Sequence, residues 1–133
     1  MEPVIYLEGY NINKIKYEHI ENADSQVFKD EPDFTFNFGL TEDLTGGLVN
    51  IIVEYFEASV SRYIYVDASG VFKLNLNDFD ETSVKNHLMQ NGSAILFPYI
   101  RSIISMISTL DGPSAIILPT LNMVDEMKKQ LEK

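Results

Sequence analysis

The chain has 133 residues, with 20 acidic against 10 basic side chains for a formal net charge of −10, and is 45% hydrophobic and 23% charged. That balance reads as globular rather than disordered, and its sign argues against nucleic acid or an anionic membrane as partner, since both reward Lys and Arg. With no cysteine, disulfides, thiolate metal sites and cysteine nucleophiles are excluded.

A chain of this length suits one domain, taken as residues 1–133. The opening MEPVIYLEGY lacks the basic and apolar regions of a secretory signal. The longest uncharged apolar run, near 93–100, is too short to span a bilayer, so a cytoplasmic setting is expected.

In chain order, VIYLEGYNINKIKYE alternates in two phases. Val4, Tyr6, Tyr10 and Ile12 share one parity and Ile15 and Tyr17 the other, which a bulge near Asn13–Lys14 would reconcile. HIENADSQVFKDEP is polar and acidic, hence a loop. DFTFNFGL sets Phe34, Phe36, Phe38 and Leu40 on one face, the cleanest period-two strand in the chain. TEDLTGG is a turn in which Gly46 and Gly47 are free to take positive φ. LVNIIVEYF and RYIYVDASGVFKL follow as an antiparallel hairpin, the latter with a bend expected at Ala68–Gly70. Four such strands with one apolar face need a cover.

The second half supplies it. LNDFDETSVKNHLMQNG predicts a short helix, capped by Asp78 or Asp80 and stopped at Asn91–Gly92. In NGSAILFPYIRSIISMIS, the residues Leu96, Ile100, Ile103, Ile104, Ile107 and Leu110 fall at helical spacing. Pro98 is tolerated in a first turn, so a long helix is expected from about Phe97 to Leu110, with 93–96 as an extended lead-in. PSAIILPTLNM is a loop by its prolines yet uncharged and aliphatic. VDEMKKQLEK predicts a final helix with Asn122 as cap.

Chemical constellations are absent from the pattern. His19 and His87 lack partners at ligand spacing, the acid clusters at 78–81 and 29–32 read as solvated loops and a cap, and NGS at 91–93 reads as a turn. No enzyme activity and no cofactor are expected. The plainer reading of Ile103, Ile104 and Ile107 is core packing. Phe97, Tyr99 and Ile100 divide between core and a binding groove. For Ile116, Ile117, Leu118, Leu121 and Met123, the alternative to groove lining is a lid that seals the subunit's own core.

At this point the chain resembles a known family, the SecB export chaperones. NGSAILFPYIRSIISMIS is similar to the family's asparagine-then-ILFPYAR stretch; Gly112, Pro113 and PTLNM are similar to its glycine, Pro-rich segment and PVNF. ASGVF at 68–72 is similar to its AGIF, and NKIKYEHIENADSQVF at 13–28 to its KDISFEAPNAPxxF stretch. The similarity runs collinearly over roughly residues 6–127. It implies an α+β fold with a four-stranded antiparallel sheet covered by a long helix plus shorter helices. It implies a homotetramer, a dimer of dimers, that binds unfolded or precursor polypeptides without ATP for export and translocation.

On that basis a polypeptide-binding groove is expected from Phe28, Phe72, Phe97, Tyr99, Ile100, Ile116, Leu118, Leu121 and Met123. Contacts between copies are expected at Ser102, Ser105, Ile107 and Ser108. A motor-protein contact, to SecA, falls on Glu18. The family's other docking positions fall on Lys14, Tyr63 and Tyr65, which do not match, so weak or absent SecA binding is expected. Two rivals remain: a dedicated chaperone of a single partner such as an antitoxin, and a structural or adaptor protein that keeps the fold without holding clients.

Overall fold

The structure, a computed structural model, describes residues 4–21, 31–75, 80–112, 114–119 and 121–131. Its strands are β1 (Ile5–His19), β2 (Asp33–Leu40), β3 (Gly46–Glu57) and β4 (Arg62–Leu74). They form one antiparallel sheet of order β1-β4-β3-β2, so the first strand pairs with the last. Helices α1 (Glu81–His87), α2 (Ser93–Asp111) and α3 (Met123–Leu131) follow.

The strand pattern of β2 is realised as read. Phe34, Phe36, Phe38 and Leu40 turn toward the helices and join the core of Val49, Ile51, Val53, Ile64, Val66 and Phe72. Each fully buried side chain of this size contributes about 1.5–3 kcal/mol. The ring of Phe34 meets Phe97 of α2 edge-on, with centroids 5.8 Å apart.

The turn into β3 differs from expectation. Leu44 takes the left-handed conformation at φ 61, and no described glycine has positive φ. Asp43 is the reason: its Oδ1 accepts from Thr41 Oγ1 at 2.7 Å and from Thr45 Oγ1 at 2.7 Å, which winds the turn tightly around it. Gly46 and Gly47 are instead part of β3. A Cβ on Gly47 would stand 2.7 Å from Leu88 Cδ2, so the glycine admits a helix side chain onto the strand.

β4 runs without a break. The bend expected at Ala68–Gly70 is absent, because Val66, Ala68, Gly70, Phe72 and Leu74 keep one parity throughout and the small residues make room for Leu7 and Leu96. β1 carries the bulge foreseen at Asn13 and a second at Glu8, where the register with β4 shifts. The second bulge puts Tyr6 on the open face of the sheet, while Tyr10 and Ile12 share the helix side with Ile15.

The helical half is more continuous than its sequence suggests. Asp80 caps α1 by accepting the Ser83 N–H at 2.8 Å. The chain then passes through a wider π-type turn at Leu88–Gly92 straight into α2, so Asn91–Gly92 does not stop it and residues 93–96 are helical. Gly92 is there for contact: a Cβ would stand 2.9 Å from Val49 Cγ2. Pro98 lies inside the helix, where it removes the bond to the Ala94 carbonyl. Joined, Glu81–Asp111 is a 31-residue run long and apolar enough by length and composition to cross a membrane. Here its Val84, Leu88, Leu96, Phe97, Ile100 and Ile104 are buried against the sheet.

Gly92→Ala is expected to destabilise the fold. Overpacking against the stiff Val49 costs about 1–3 kcal/mol, more than the roughly 1 kcal/mol alanine gains over glycine in a helix. A urea midpoint equal to or above the parent's would contradict this.

Candidate polypeptide-binding surface

The expected groove residues separate into two groups. Phe72, Phe97, Ile100, Ile116 and Leu118 are buried in the subunit's own core, and of these only Leu118 reaches the edge of the trough described below. Tyr99 is exposed, Leu121 and Met123 are half-buried, and Phe28 lies outside the described residues. The correction has a local cause. Residues 115–119 lie outside helix and strand, and burial alternates along them: Ile116 and Leu118 turn inward, while Ile117 stands 77% exposed.

Three side chains hold that segment by its backbone. Arg62 Nη1 donates to the Ser114 carbonyl at 2.9 Å, Ser108 Oγ accepts the Ile116 N–H at 2.7 Å, and Arg101 Nε donates to the Leu118 carbonyl at 3.2 Å. Ser108 is therefore fully buried and cannot serve the contact between copies for which its helical phase suggested it. Its hydroxyl donates back to the Ile104 carbonyl at 2.8 Å. Arg62 is itself buried, its charge met by Glu57 Oε1, which accepts from Nε at 2.9 Å and from Nη2 at 2.5 Å.

Between α2 and the segment runs an open trough of about 530 Å³, lined by Pro98, Arg101, Ser102, Ser105, Met106, Ile117 and Leu118. Met106 is 66% exposed in it. Ile117 was read from sequence as groove lining or lid; Met106 was not singled out, because it belongs to neither the aliphatic stripe nor the serine stripe of the helix. Ser102 is exposed and Ser105 and Ile107 half-buried, and Ser102 and Ser105 line this trough.

A second apolar area adjoins α2 along β1. Tyr10, Ile12 and Ile15 are exposed on the helix side, and the Tyr10 ring packs on Tyr99 at 4.8 Å between centroids. The far end of this strip is closed by Asp111, whose Oδ2 accepts from the Tyr17 hydroxyl at 2.8 Å and lies 2.6 Å from His19 Nε2. Those two bonds hold the Asp111 carboxyl below the usual carboxylate range, and partial burial, with the same bond, pushes the Tyr17 phenol up. A carboxyl with a depressed pKa favours the folded state above pH 4 or so and loses that contribution on acidification through its folded pKa.

The opposite face of the sheet is mixed, with Leu48 and Val71 exposed on it beside polar side chains. A ladder of side-chain bonds crosses all four strands: Asn37 Nδ2 donates to Asn50 Oδ1 at 2.9 Å, and Asn50 and Asn13 both donate to Asp67 Oδ1, at 2.6 and 3.0 Å. Glu18 is exposed here, opposite Tyr63 in register; Lys14 Nζ sits 5.8 Å from the Tyr65 ring centroid. Tyr63 is buried and donates to Glu54 Oε2 at 2.6 Å, and burial with that carboxylate pushes its phenol up strongly. Among the described residues, no three His, Cys, Asp or Glu side chains stand together as a metal site.

The architecture is an α+β fold with a four-stranded antiparallel sheet, one face backed by a long helix. No protein-family model and no curated protein matches the chain. Solved structures do. One is a Mycobacterium tuberculosis SecB-like chaperone in complex with a ChAD peptide from the HigA1 antitoxin. Its TM-score is 0.63 at 12% identity, covering 88% of this chain and 87% of that one. Another is a Streptococcus agalactiae protein of unknown function, with a TM-score of 0.58 at 12% identity, covering 86% of this chain and 96% of that one. The chain thus has the SecB-like fold, as its ILFPYIR stretch suggested.

Proposed function

We propose that this protein is an ATP-independent chaperone that holds unfolded polypeptide segments along α2. The observation that carries the reading is the trough: Met106 and Ile117 stand largely exposed in it, and Arg101 is the single charged residue of its lining among the described residues. A mobile thioether and an uncovered isoleucine suit varied apolar partners because they repack at low cost. The net charge of −10 keeps such a surface soluble and favours basic clients. The proposal includes a cytoplasmic homotetramer without cofactor or enzyme activity, in which repeated troughs add weak contacts into avidity. Unfolded precursors for export are its broadest client class. Strong coupling to SecA is not part of it, given Lys14, Tyr63 and Tyr65 at the family's docking positions.

A narrower reading is a dedicated chaperone of one partner such as an antitoxin, favoured by the peptide in the M. tuberculosis complex. One assay addresses both. Purified protein, without ATP, is mixed with several unrelated unfolded proteins and light scattering is followed. Broad suppression near equimolar ratio is expected. Failure with every client at large excess sinks the general reading, and protection confined to one cognate antitoxin selects the narrower one.

A further inference from the structure

We infer that residues 114–119 are an internal stand-in for a client: they occupy a seat that an incoming chain takes by displacing them. The inference rests on the polypeptide-binding reading above and specifies which segments bind and what they must remove.

The segment is bound to the rest of the subunit as a peptide is bound to a receptor. It lies outside helix and strand, it inserts Ile116 and Leu118 into the buried cluster that holds Ile100 and Ile104, and it leaves Ile117 outside. Its carbonyls at Ser114 and Leu118 accept from Arg62 and Arg101, and its N–H at Ile116 goes to Ser108 Oγ. Arg62 and Ser108 are themselves buried, so the seat is built into the core and not assembled from loose surface groups. Main-chain groups satisfied by fixed partners, with pockets for alternate side chains, is the recognition mode of extended peptides.

Such a seat reads little sequence. Arg62, Arg101 and Ser108 take backbone atoms common to every residue, and the pockets ask only for aliphatic side chains two apart. The preferred client is therefore an uncharged extended stretch with large aliphatics at alternate positions, as in the chain's own AIILP. The segment competes as a tethered ligand, at an effective concentration on the order of millimolar. A short free peptide competes poorly against that. A long unfolded chain that also grips Met106 and Ile117 in the adjoining trough competes well, so the seat opens selectively for clients of length.

The test uses the unmodified protein and follows amide hydrogen exchange at Ile116, whose N–H is protected by Ser108. Saturation with a permanently unfolded chain, reduced and carboxymethylated α-lactalbumin, is expected to speed that exchange roughly tenfold or more. A synthetic copy of residues 112–121 at high concentration should do the same; a copy with aspartate at both aliphatic positions, 116 and 118, should not. If the unfolded chain binds by fluorescence anisotropy while Ile116 exchange stays unchanged or slows, the stand-in is refuted and the chaperone reading survives. If no unfolded chain binds at all, the chaperone reading falls first.

Discussion

Arg62→Ala is expected to lose about 3–5 kcal/mol of stability, the range for breaking a buried ion pair by removing one partner. Arg62 is 3% exposed and carries two tasks. Its Nε and Nη2 meet Glu57 Oε1, and its Nη1 holds the Ser114 carbonyl. Alanine leaves a mostly buried carboxylate without its cation, a carbonyl without its donor and a void beneath the 114–119 segment. Set against the total stability of about 5–15 kcal/mol typical of a domain, that is a large share. Lysine should restore little, because one ammonium cannot reach Glu57 and Ser114 in the planar fork that a guanidinium provides. Replacing both members, Arg62→Met with Glu57→Leu, should cost less than Arg62→Ala alone, since an apolar pair leaves no charge unpaired. Urea unfolding at pH 7 reads all three. A loss under about 1 kcal/mol for the alanine variant would show that the pair is decorative.

The second large effect is on binding and leaves the fold intact. Met106→Asp combined with Ile117→Asp is expected to weaken client binding roughly 100-fold or more. Burial of one Met or Ile side chain is worth about 1.5–3 kcal/mol, each 1.4 kcal/mol is tenfold in affinity, and a carboxylate in an apolar contact adds its desolvation. Both side chains face solvent, so stability should change by no more than about 0.5 kcal/mol. Leu118→Asp is the informative contrast. From sequence alone it belongs with the groove variants; at 2% exposure it places a charge in the core and should unfold or unseat the segment. A double variant that suppresses aggregation as well as the parent would remove the trough from the binding surface.

Particular residues show why some of this was readable. DFTFNFGL was legible because a strand with one buried face must alternate, and no tertiary contact can hide a period of two. The Asn13 bulge was legible because parity changes there. The Glu8 bulge was not, since Gly9 carries no side chain whose side would reveal it. Asn91–Gly92 read as a stop because glycine usually ends helices, but here the missing Cβ serves the approach of Val49, which is distant in sequence. Ser108 read as interface because it falls in phase with Ser102 and Ser105; only the fold brings the Ile116 N–H to it.

By itself the sequence determined the order of four strands and then helices, the apolar face of β2, the Asn122 cap and the resemblance in ILFPYIR, and it narrowed the α1 cap to Asp78 or Asp80, because all are set by neighbours within a few positions. Tertiary structure alone decided which half of the aliphatic segment 114–119 is sealed and which half faces water. That choice depends on Arg62, Arg101 and Ser108, brought from β4 and α2 to grip a backbone. An extended chain has no intrinsic preference for the side it buries until such partners fix its register.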